Sequence, residues 1–275
     1  MTKISRRTFA CAAGAGFASL LRAAPKKLPV AVQLYSVRQL CAADLPGTIA
    51  GVAKVGYKGV EFAGYYNRSA QELRKMLDDN GLKCCGTHTG IETLLGDNLP
   101  KTIEFNRTIG NRNLVVPGLP EKYRNSADAW RETAKLFTEL SAKVKSQGMR
   151  VGYHNHDSEF RTLDGQIPWD VFCSNSGKDV ITQLDFGHVV HGGGDPVAAL
   201  KKYPGRAKTV HVTDYSNAQK KGVLLGDGDV NWSQILDVCE KTAGTEWYII
   251  EEESSGLPGL EGIDQSLKRF EKMGR

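Results

Sequence analysis

Eight short apolar runs alternate along the chain with longer segments in which apolar residues recur at helical spacing. The runs are PVAVQLYSV from Pro29, YKGVEFA from Tyr57, LKCCGTH from Leu82, NLVVPG from Asn113, RVGYHNH from Arg150, ITQLDFGH from Ile181, TVHVTD from Thr209 and WYIIEEE from Trp247. Apolar strands that alternate with helices are typical of a parallel sheet with helical crossovers. Eight such units predict an α/β fold, a single (β/α)8 TIM barrel.

The segments between the runs predict amphipathic helices. These helices are Leu45 to Val55, Ser69 to Asn80, Lys101 to Ile109, Ala127 to Ser146, Pro196 to Tyr203 and Trp232 to Thr242. Gly56, Gly81 and Gly148 stand where three helices should end, because glycine readily adopts the left-handed conformation that caps a helix. A doubly wound open sheet is the alternative, but no glycine-rich phosphate turn follows the first run to support it.

The first residues stand outside this pattern. The stretch SRRTFACAAGAGFASLLRAAPKK from Ser5 has a basic start, a small-residue apolar centre and then Ala and Pro. Arg6 and Arg7 give it the twin-arginine form of an export signal. We therefore predict an export signal over 1–24, a barrel domain over 25–275, and a periplasmic or otherwise exported location.

Removal of the signal changes the charge of the protein. The chain carries a formal net charge of +5, and the signal holds four basic and no acidic residues, so the remainder carries about +1. A near-neutral chain gives no electrostatic basis for a nucleic-acid partner. No later apolar run is long enough to cross a bilayer, so we expect no membrane anchor.

Five cysteines remain after the signal. They are Cys41, Cys84, Cys85, Cys173 and Cys239. Their spacing matches neither a zinc ribbon nor an evenly paired disulfide framework. We expect them to be small core residues.

Polar residues collect at the predicted carboxyl ends of the strands, the face on which TIM barrels carry their function. These residues are Glu61, His88, His154, His156, Asp185, His188, His211, Asp214 and Glu251 to Glu253. Five of the six histidines belong to this set. Simpler explanations exist for single members, since His88 can bond a neighbouring loop, but a random scatter of histidines would not converge on one face.

Asp185, His211 and Glu251 each end an otherwise apolar strand, where burial without a partner would cost several kcal/mol. One divalent metal ion held by two carboxylates and one or two imidazoles would be a partner for all three, and His154 is the fourth candidate ligand. Mixed nitrogen and oxygen donors suit Mn, Zn, Co or Fe. Such a metal can stabilise the enediolate that forms when a proton leaves the carbon beside a carbonyl, with glutamate or histidine moving the proton.

The chain resembles the xylose-isomerase-like TIM barrels of the sugar phosphate isomerase/epimerase family, which include tagatose and psicose epimerases, inosose dehydratase and, more distantly, endonuclease IV. The segments that carry the resemblance are VQLYSVR (32–38), VGYKGVEFAGY (55–65), GYHNHDSEF (152–160), LDFGHVVHGGGDP (184–196), HVTD (211–214), LGDGDVNW (225–232) and YIIEEE (248–253). The resemblance implies one metal bound by Glu, Asp, His and Glu at the ends of strands five to eight. Asp185, His211 and Glu251 match these ligands, whereas His154 stands in place of the first glutamate.

This departure puts the family's pair of acid/base glutamates in doubt. Either Glu159 returns to the site as ligand or base, or His154 binds the metal while His156 or Glu159 moves the proton together with Glu251. The substitution also raises β-elimination from a keto-sugar or 3-keto-glycoside as an alternative, because loss of a leaving group needs one base and one acid, not a symmetric pair.

The substrate is expected to be a sugar without a phosphate group. Phosphorylated sugars are mainly cytoplasmic, and the chain has neither a P-loop nor an obvious arginine clamp. Besides the catalytic groups, the predicted substrate contacts are Glu61, His88, His188 and Trp232, of which Trp232 could stack on a sugar ring or belong to the core. An oxidoreductase that supplies the keto-sugar is a plausible functional neighbour.

Three classes of function thus stay open at this point. The first is a metal-dependent sugar isomerase or epimerase, with the elimination enzyme as its rival. The second is a non-catalytic periplasmic sugar-binding protein, favoured by His154 and opposed by the other three ligands. The third, a DNA-repair nuclease, is disfavoured by the near-neutral charge and the small number of histidines.

Overall fold

The computed structural model describes residues 27–254 and 256–274. The predicted export signal over 1–24 lies outside the described residues, and it therefore stays a prediction.

Eight parallel strands close into a barrel, which confirms the predicted fold. The strands are β1 (Val30–Gln33), β2 (Gly59–Phe62), β3 (Lys83–His88), β4 (Asn113–Val116), β5 (Arg150–His154), β6 (Ile181–Asp185), β7 (Thr209–Val212) and β10 (Trp247–Ile250). Neighbouring barrel strands in the chain pair with each other, and β1 closes the barrel against β10 with Val32 opposite Ile250. Since all eight strands run in parallel, their carboxyl ends form one rim.

A two-stranded antiparallel hairpin follows β7 on the rim. It consists of β8 (Asp214–Ser216) and β9 (Lys221–Val223), paired with Tyr215 opposite Gly222. The sequence pattern does not predict this hairpin, because strands of three residues are too short to show an alternating pattern. The predicted strand TVHVTD in fact covers both β7 and the beginning of β8.

Ten helices are present in the described part of the chain. They are α1 (Arg38–Ala43), α2 (Leu45–Val55), α3 (Ala70–Asp79), α4 (Asn98–Thr108), α5 (Ala127–Lys145), α6 (Pro168–Asn175), α7 (Phe186–His191), α8 (Pro196–Lys202), α9 (Trp232–Val238) and α10 (Leu260–Lys272). The helical patterns in the sequence predict six of these helices, namely α2, α3, α4, α5, α8 and α9. They do not predict the short helices α1, α6 and α7 or the longer α10.

Local sequence explains where several helices begin and end. Ser69 caps α3 in a reciprocal arrangement, in which its hydroxyl accepts from the backbone N–H of Glu72 and the Glu72 carboxylate accepts from the backbone N–H of Ser69. Helix α4 begins three residues before the predicted Lys101, because Pro100 lies in the first turn, where a missing backbone N–H costs nothing. Gly81 (φ 65°) and Gly148 (φ 72°) adopt the left-handed conformation expected after α3 and α5.

The main hydrophobic core lies between the strands and the surrounding helices. Around Tyr153 of β5, for example, Trp130 and Phe137 of α5 pack edge-to-face with ring centroids 5.4 and 6.0 Å away. A much smaller apolar cluster of Ala31, Cys85 and Ile249 forms separately. This packing fixes the register of the strands and therefore the side chains that reach the rim.

The five described cysteines are buried and free of disulfide bonds, as expected for core residues. No helix in the described ranges has the length and apolar character needed to cross a membrane.

Candidate metal centre and adjoining chambers

Four predicted ligands from four consecutive barrel strands meet at the rim. His154 ends β5, Asp185 ends β6, His211 lies in β7, and Glu251 follows β10 directly. One donor atom from each of these side chains lies within 4.8 Å of the others. Parallel strands in register bring these residues together across nearly 100 positions of sequence. The donor set of two imidazoles and two carboxylates suits a first-row divalent metal.

The two oxygens of the buried Asp185 carboxylate have different environments. Oδ1 accepts from the backbone N–H of His188 at 2.7 Å and from the Thr213 hydroxyl at 2.6 Å, so that Asp185 also caps α7. Oδ2 is buried and has no hydrogen-bond partner among the described residues. It lies 3.9 Å from His211 Nδ1. A buried carboxylate oxygen left without a donor is costly, and a bound cation would remove that cost.

His211 is held from both sides by carboxylates. Its Nδ1 lies 2.9 Å from Glu251 Oε2, and its Nε2 lies 2.6 Å from Glu61 Oε2. Burial alone would raise the pKa of the Glu61 carboxyl group, but the facing imidazoles of His88 and His211 lower that pKa to about 2. Burial likewise opposes protonation of His211, yet Glu61 and Glu251 raise the pKa of the imidazole to about 10. Glu61 is therefore ionised at neutral pH.

Glu61 does not lie where a residue that contacts the substrate would lie. Its side chain is fully buried beneath His88 and His211 and is not part of any surface that a sugar could reach. A carboxylate bonded to the far nitrogen of a metal-ligating histidine is a common support in metal sites, where it fixes the ring and raises its basicity. The structure places Glu61 in that position behind His211.

Gln183, which is not among the predicted site residues, connects the buried groups. Its amide N–H2 group donates to Glu61 Oε1 at 2.9 Å and to Thr209 Oγ1 at 2.8 Å. Its amide oxygen must therefore accept, and it lies 2.8 Å from His88 Nε2 and 3.1 Å from His154 Nδ1. This arrangement puts the proton of a neutral His154 on Nδ1 and leaves Nε2 available as a ligand atom. Burial, followed by the neighbouring histidines, lowers the pKa of His154 well below its usual range.

A first chamber of about 440 Å³, here called the histidine chamber, opens beside two of the candidate ligands, His154 and Glu251. It is lined by Tyr35, Ala63, His88, Thr89, Gly90, Pro117, His154, His156, His188, Glu251 and Glu253. Three predicted site residues thus join the ligands here, namely His88, His156 and His188. The His156 and His188 rings lie 4.8 Å apart between centroids. Burial, followed by His188, lowers the pKa of His156.

A second chamber of about 440 Å³, here called the hairpin chamber, lies on the other side of Glu251. It is lined by Asp185, Gly187, His188, His191, Thr213, Asp214, Tyr215, Lys220, Lys221, Gly222, Val223, Leu225, Glu251, Glu252, Glu253 and Ser254. The two chambers share His188, Glu251 and Glu253. Both chambers therefore border the candidate metal centre.

Glu159 does not come to the ligands. Its buried carboxylate accepts from the Tyr153 hydroxyl at 3.0 Å, from the Ser158 hydroxyl at 3.1 Å and from the backbone N–H of His156 at 2.7 Å. These bonds use both oxygens to close the turn after β5. The structure therefore places Glu159 as a support for the His156 loop, away from the position of a ligand or base that the sequence suggested.

Trp232 belongs to the core and does not line either chamber. Its indole N–H donates to Asp214 Oδ2 at 3.0 Å, and its ring packs edge-on against Phe186 and Phe270. The Asp214 carboxylate also accepts from the backbone N–H groups of Gly226 at 2.8 Å and Gly228 at 3.2 Å. The LGDGDVNW segment is thus a loop wrapped around Asp214. Of the two alternatives predicted for Trp232, its position is that of a core residue.

The closed parallel barrel and the four ligands at its rim define a TIM barrel with a candidate metal centre. The chain belongs to the xylose isomerase-like TIM barrel family, whose sequence profile matches residues 49–273.

Several known proteins are similar to this chain. The inosose dehydratase of Clostridium perfringens (strain 13 / Type A) is 24% identical over 242 residues, which cover 74% of this chain and 81% of that protein. A crystal structure of a sugar phosphate isomerase/epimerase from Parabacteroides distasonis is 26% identical, with a TM-score of 0.74 over 90% of this chain and 94% of that one. The crystal structure of the IOLI protein with a binding zinc atom shares the fold at 14% identity, with a TM-score of 0.70 over 90% of this chain and 98% of that one.

Proposed function

We propose that this chain is a metal-dependent enzyme that removes a proton from the carbon beside the carbonyl of a non-phosphorylated sugar or keto-sugar. The observation that carries this proposal is the convergence of His154, Asp185, His211 and Glu251 at the border of a chamber lined by further imidazoles. The similar proteins bear the names of a dehydratase and of an isomerase/epimerase. Both kinds of reaction can start with removal of this proton.

The donor set fits a divalent cation. The unpartnered Asp185 Oδ2 and the available Nε2 of His154 complete a set with Glu251 and with His211 Nδ1, which must first lose its proton to serve as a ligand atom. When bound there, the ion would act as a Lewis acid towards the carbonyl oxygen of a substrate. Mn, Zn, Co and Fe all accept these donors, and the zinc atom of the IOLI protein supports zinc as the first ion to test.

The proposed reaction assigns proton transfer to three side chains that line the histidine chamber. His156 and His188 line it as neighbouring imidazoles, and Glu251 reaches it with a side chain that is 14% exposed. Imidazole and carboxylate groups are the usual general acids and bases near neutral pH. We assign proton removal to His156 or Glu251 and proton delivery to His188.

The asymmetry of these groups favours elimination over epimerisation. Epimerisation by a matched glutamate pair needs a second carboxylate opposite Glu251, but His154 holds that place and the Glu159 carboxylate is engaged in its own turn. Elimination needs a base for the proton and an acid for the departing oxygen, which a carboxylate and imidazoles supply. Isomerisation or epimerisation remains the alternative reaction that can follow the same removal of a proton.

The lining of the histidine chamber supports a substrate without phosphate. Within the described residues, it contains no lysine or arginine, while Glu251 and Glu253 contribute two carboxylates. Protein sites for phosphate groups normally offer cationic side chains or the N-terminus of a helix. The Glu251 and Glu253 carboxylates would repel a phosphate group, but they would not repel an uncharged sugar.

The test combines metal analysis with NMR. The protein without its predicted signal is purified, its metal content is measured, and candidate keto-sugars and glycosides are incubated with it in deuterated water. About one metal per chain and deuterium at the carbon beside the carbonyl would support the proposal, and the product would separate epimerisation from elimination. Absence of both would favour a non-catalytic sugar-binding protein.

Export is a separate proposal that rests on the sequence of residues 1–24. Changing both Arg6 and Arg7 to lysine should leave the protein in the cytoplasm, whereas the unchanged chain should appear in the periplasm. An exported enzyme of this kind would act beside an oxidoreductase that converts a sugar hydroxyl to the required ketone. Equal cytoplasmic retention of both forms in cell fractions would contradict the export proposal.

A further inference from the structure

The candidate metal centre borders two chambers of similar size. The histidine chamber and the hairpin chamber each have a volume of about 440 Å³. Small-molecule sites typically occupy about 300–1,000 Å³, so each chamber alone has the size of a binding site. His188, Glu251 and Glu253 form the border that the two chambers share. The proton transfer proposed above needs only the histidine chamber. It therefore assigns no role to the hairpin chamber.

The wall of the hairpin chamber is held in place by polar contacts. Asp214, at the start of β8, accepts the backbone N–H of Gly226 and the indole N–H of Trp232 through Oδ2, at 2.8 and 3.0 Å. The backbone N–H of Asp229 donates to the Tyr215 carbonyl at 2.8 Å, and the Asp229 carboxylate accepts the backbone N–H of Asn217 at 2.6 Å. The hairpin and the LGDGDVNW loop therefore support each other, and the chamber has a defined shape.

The lining of the hairpin chamber suits an uncharged cyclic group. Tyr215 and His191 form a stacked pair with ring centroids 4.4 Å apart and planes at 17°, while Val223 and Leu225 add apolar surface. Five carboxylates line it against two lysines. They are Asp185, Asp214, Glu251, Glu252 and Glu253. This excess of acidic groups disfavours a phosphate or carboxylate occupant. A sugar ring offers hydroxyl groups for the polar wall and C–H faces for the aromatic and apolar wall.

We propose that the hairpin chamber binds the leaving group of a two-part substrate, the second sugar ring of a keto-disaccharide, while the keto-sugar ring occupies the histidine chamber. This inference rests on the proposed function and narrows its substrate to a glycoside. The scissile bond would then lie at the border formed by His188 and Glu251.

The reaction balances without an external oxidant or reductant. The base takes the proton from the carbon beside the ketone, and the C–H electron pair forms the enolate of the sugar. As the ketone re-forms, that pair becomes the carbon–carbon double bond and the neighbouring carbon–oxygen bond breaks. The departing oxygen takes its electron pair and a proton from His188, so the products are an unsaturated keto-sugar and a free second sugar.

A larger side chain at Gly222 would occupy part of the hairpin chamber without changing any of the four candidate metal ligands. Gly222 lies in β9 without a positive φ, and an added Cβ there would lie 3.2 Å from Ser254 Cβ, on the side of the chamber. Gly222→Leu therefore narrows the chamber with a modest adjustment of Ser254. Ala218→Leu adds a leucine at an exposed position of the same hairpin that lines neither chamber, and it serves as the control.

The experiment compares 3-keto-cellobiose with free 3-ketoglucose, using full-length mature protein loaded with zinc or manganese. Glucose release is measured for the first probe and deuterium exchange beside the ketone for the second. Saturation-transfer NMR with cellobiose, which lacks the ketone, reports binding independently of turnover. For Gly222→Leu we expect at least about a tenfold loss of kcat/KM on 3-keto-cellobiose and a loss of cellobiose binding, with exchange of 3-ketoglucose changed by less than about twofold. Ala218→Leu should behave like the unchanged protein.

The outcomes separate the two proposals. If Gly222→Leu alters both probes equally or neither, the leaving group does not bind in the hairpin chamber, although the proposed enolate chemistry would stand. If the unchanged protein exchanges no deuterium into 3-ketoglucose and releases no glucose, the proposed function fails and this inference fails with it. Thermal denaturation of both variants shows whether a loss reflects unfolding, and His191→Ala, which removes one ring of the stacked pair, provides a second variant with the same expected selectivity.

Discussion

Replacing Glu61 by glutamine asks whether the candidate metal centre depends on the buried carboxylate behind it. Glu61 Oε2 accepts from His211 Nε2 at 2.6 Å and from Gln33 Nε2 at 2.8 Å, and Oε1 accepts from Gln183 Nε2 at 2.9 Å. The carboxyl pKa of about 2 means that the group is charged at neutral pH. A glutamine side chain has nearly the same shape as glutamate but no charge. Because both Glu61 oxygens accept hydrogen bonds, the NH2 group that replaces one of them must face an N–H donor.

Two losses follow from this substitution. Removing a support of this type behind a metal-ligating histidine typically weakens metal binding by about 10–100-fold, which corresponds to about 1.4–2.7 kcal/mol. The new contact between two donors leaves a buried polar group unsatisfied and costs about 1–3 kcal/mol of folding free energy. In a domain of this size, each kcal/mol lowers Tm by roughly 2–4 °C.

The assay is a competition titration of the metal-free protein with Zn²⁺ and a chromophoric chelator, accompanied by thermal denaturation. Glu104→Gln, on the exposed surface of α4, removes the same charge far from the site and should leave both readouts unchanged. If folded Glu61→Gln protein binds Zn²⁺ as tightly as the unchanged protein, the assignment of Glu61 as a support for a metal-ligating His211 is wrong.

Three further predictions use other contacts in the structure. Glu251→Gln should lower the bound metal measured by elemental analysis, whereas Glu159→Gln should retain it, since the Glu159 carboxylate bonds only within its own turn; equal losses would contradict the geometry. Asp214→Ala removes the acceptor of several backbone N–H groups and an indole and should lower the urea-derived free energy of unfolding by about 3 kcal/mol or more. Alkylation of the five described cysteines should require unfolding, because all five are buried; burial also raises the thiol pKa values of Cys41, Cys84, Cys85 and Cys173, that of Cys41 to about 11. Rapid labelling of any of the five in the native state at pH 7 would refute this.

The apolar runs were sufficient to predict the barrel because each buried strand is a short continuous stretch bounded by polar residues. Asp185, His211 and Glu251 stood out for the same reason, as charged groups at the ends of such stretches. Since the strands are parallel, the ends had to meet at one rim. The structure brings these predicted ligands together, and their role in binding a metal stays a prediction.

The supports behind the ligands could not be located from the sequence. Gln183 contacts Glu61 across 122 positions and His88 across 95 positions, and only barrel closure brings these residues together. A signal was nevertheless present, because Gln33 and Gln183 are polar residues inside otherwise apolar strands. A buried amide needs partners on both its donor and acceptor sides, so such residues indicate a polar network inside a barrel.

The hairpin chamber shows a second limit of sequence interpretation. Glycines such as those of LGDGDVNW indicate a loop, but they do not show that the loop closes on one carboxylate. At Gly228 an added Cβ would lie 2.2 Å from Asp214 Oδ1, so the segment requires glycine to approach that side chain. Such a requirement depends on a distant partner and becomes visible only when the chain is folded.

The family resemblance implies a ligating glutamate at the position of His154, and this difference bears on the proposed chemistry. His154 is a neutral imidazole in this setting, since burial and neighbouring histidines lower its pKa and Gln183 accepts its Nδ1 proton. The candidate ligands would then carry two negative charges, instead of three with a glutamate at that position, so a divalent ion bound there would be less compensated and a stronger Lewis acid towards a ketone oxygen. The same difference would remove one of the two matched bases that the resemblance implies. In the proposed reaction, both effects would favour formation of an enolate and its decay by loss of a leaving group over reprotonation from an opposing carboxylate.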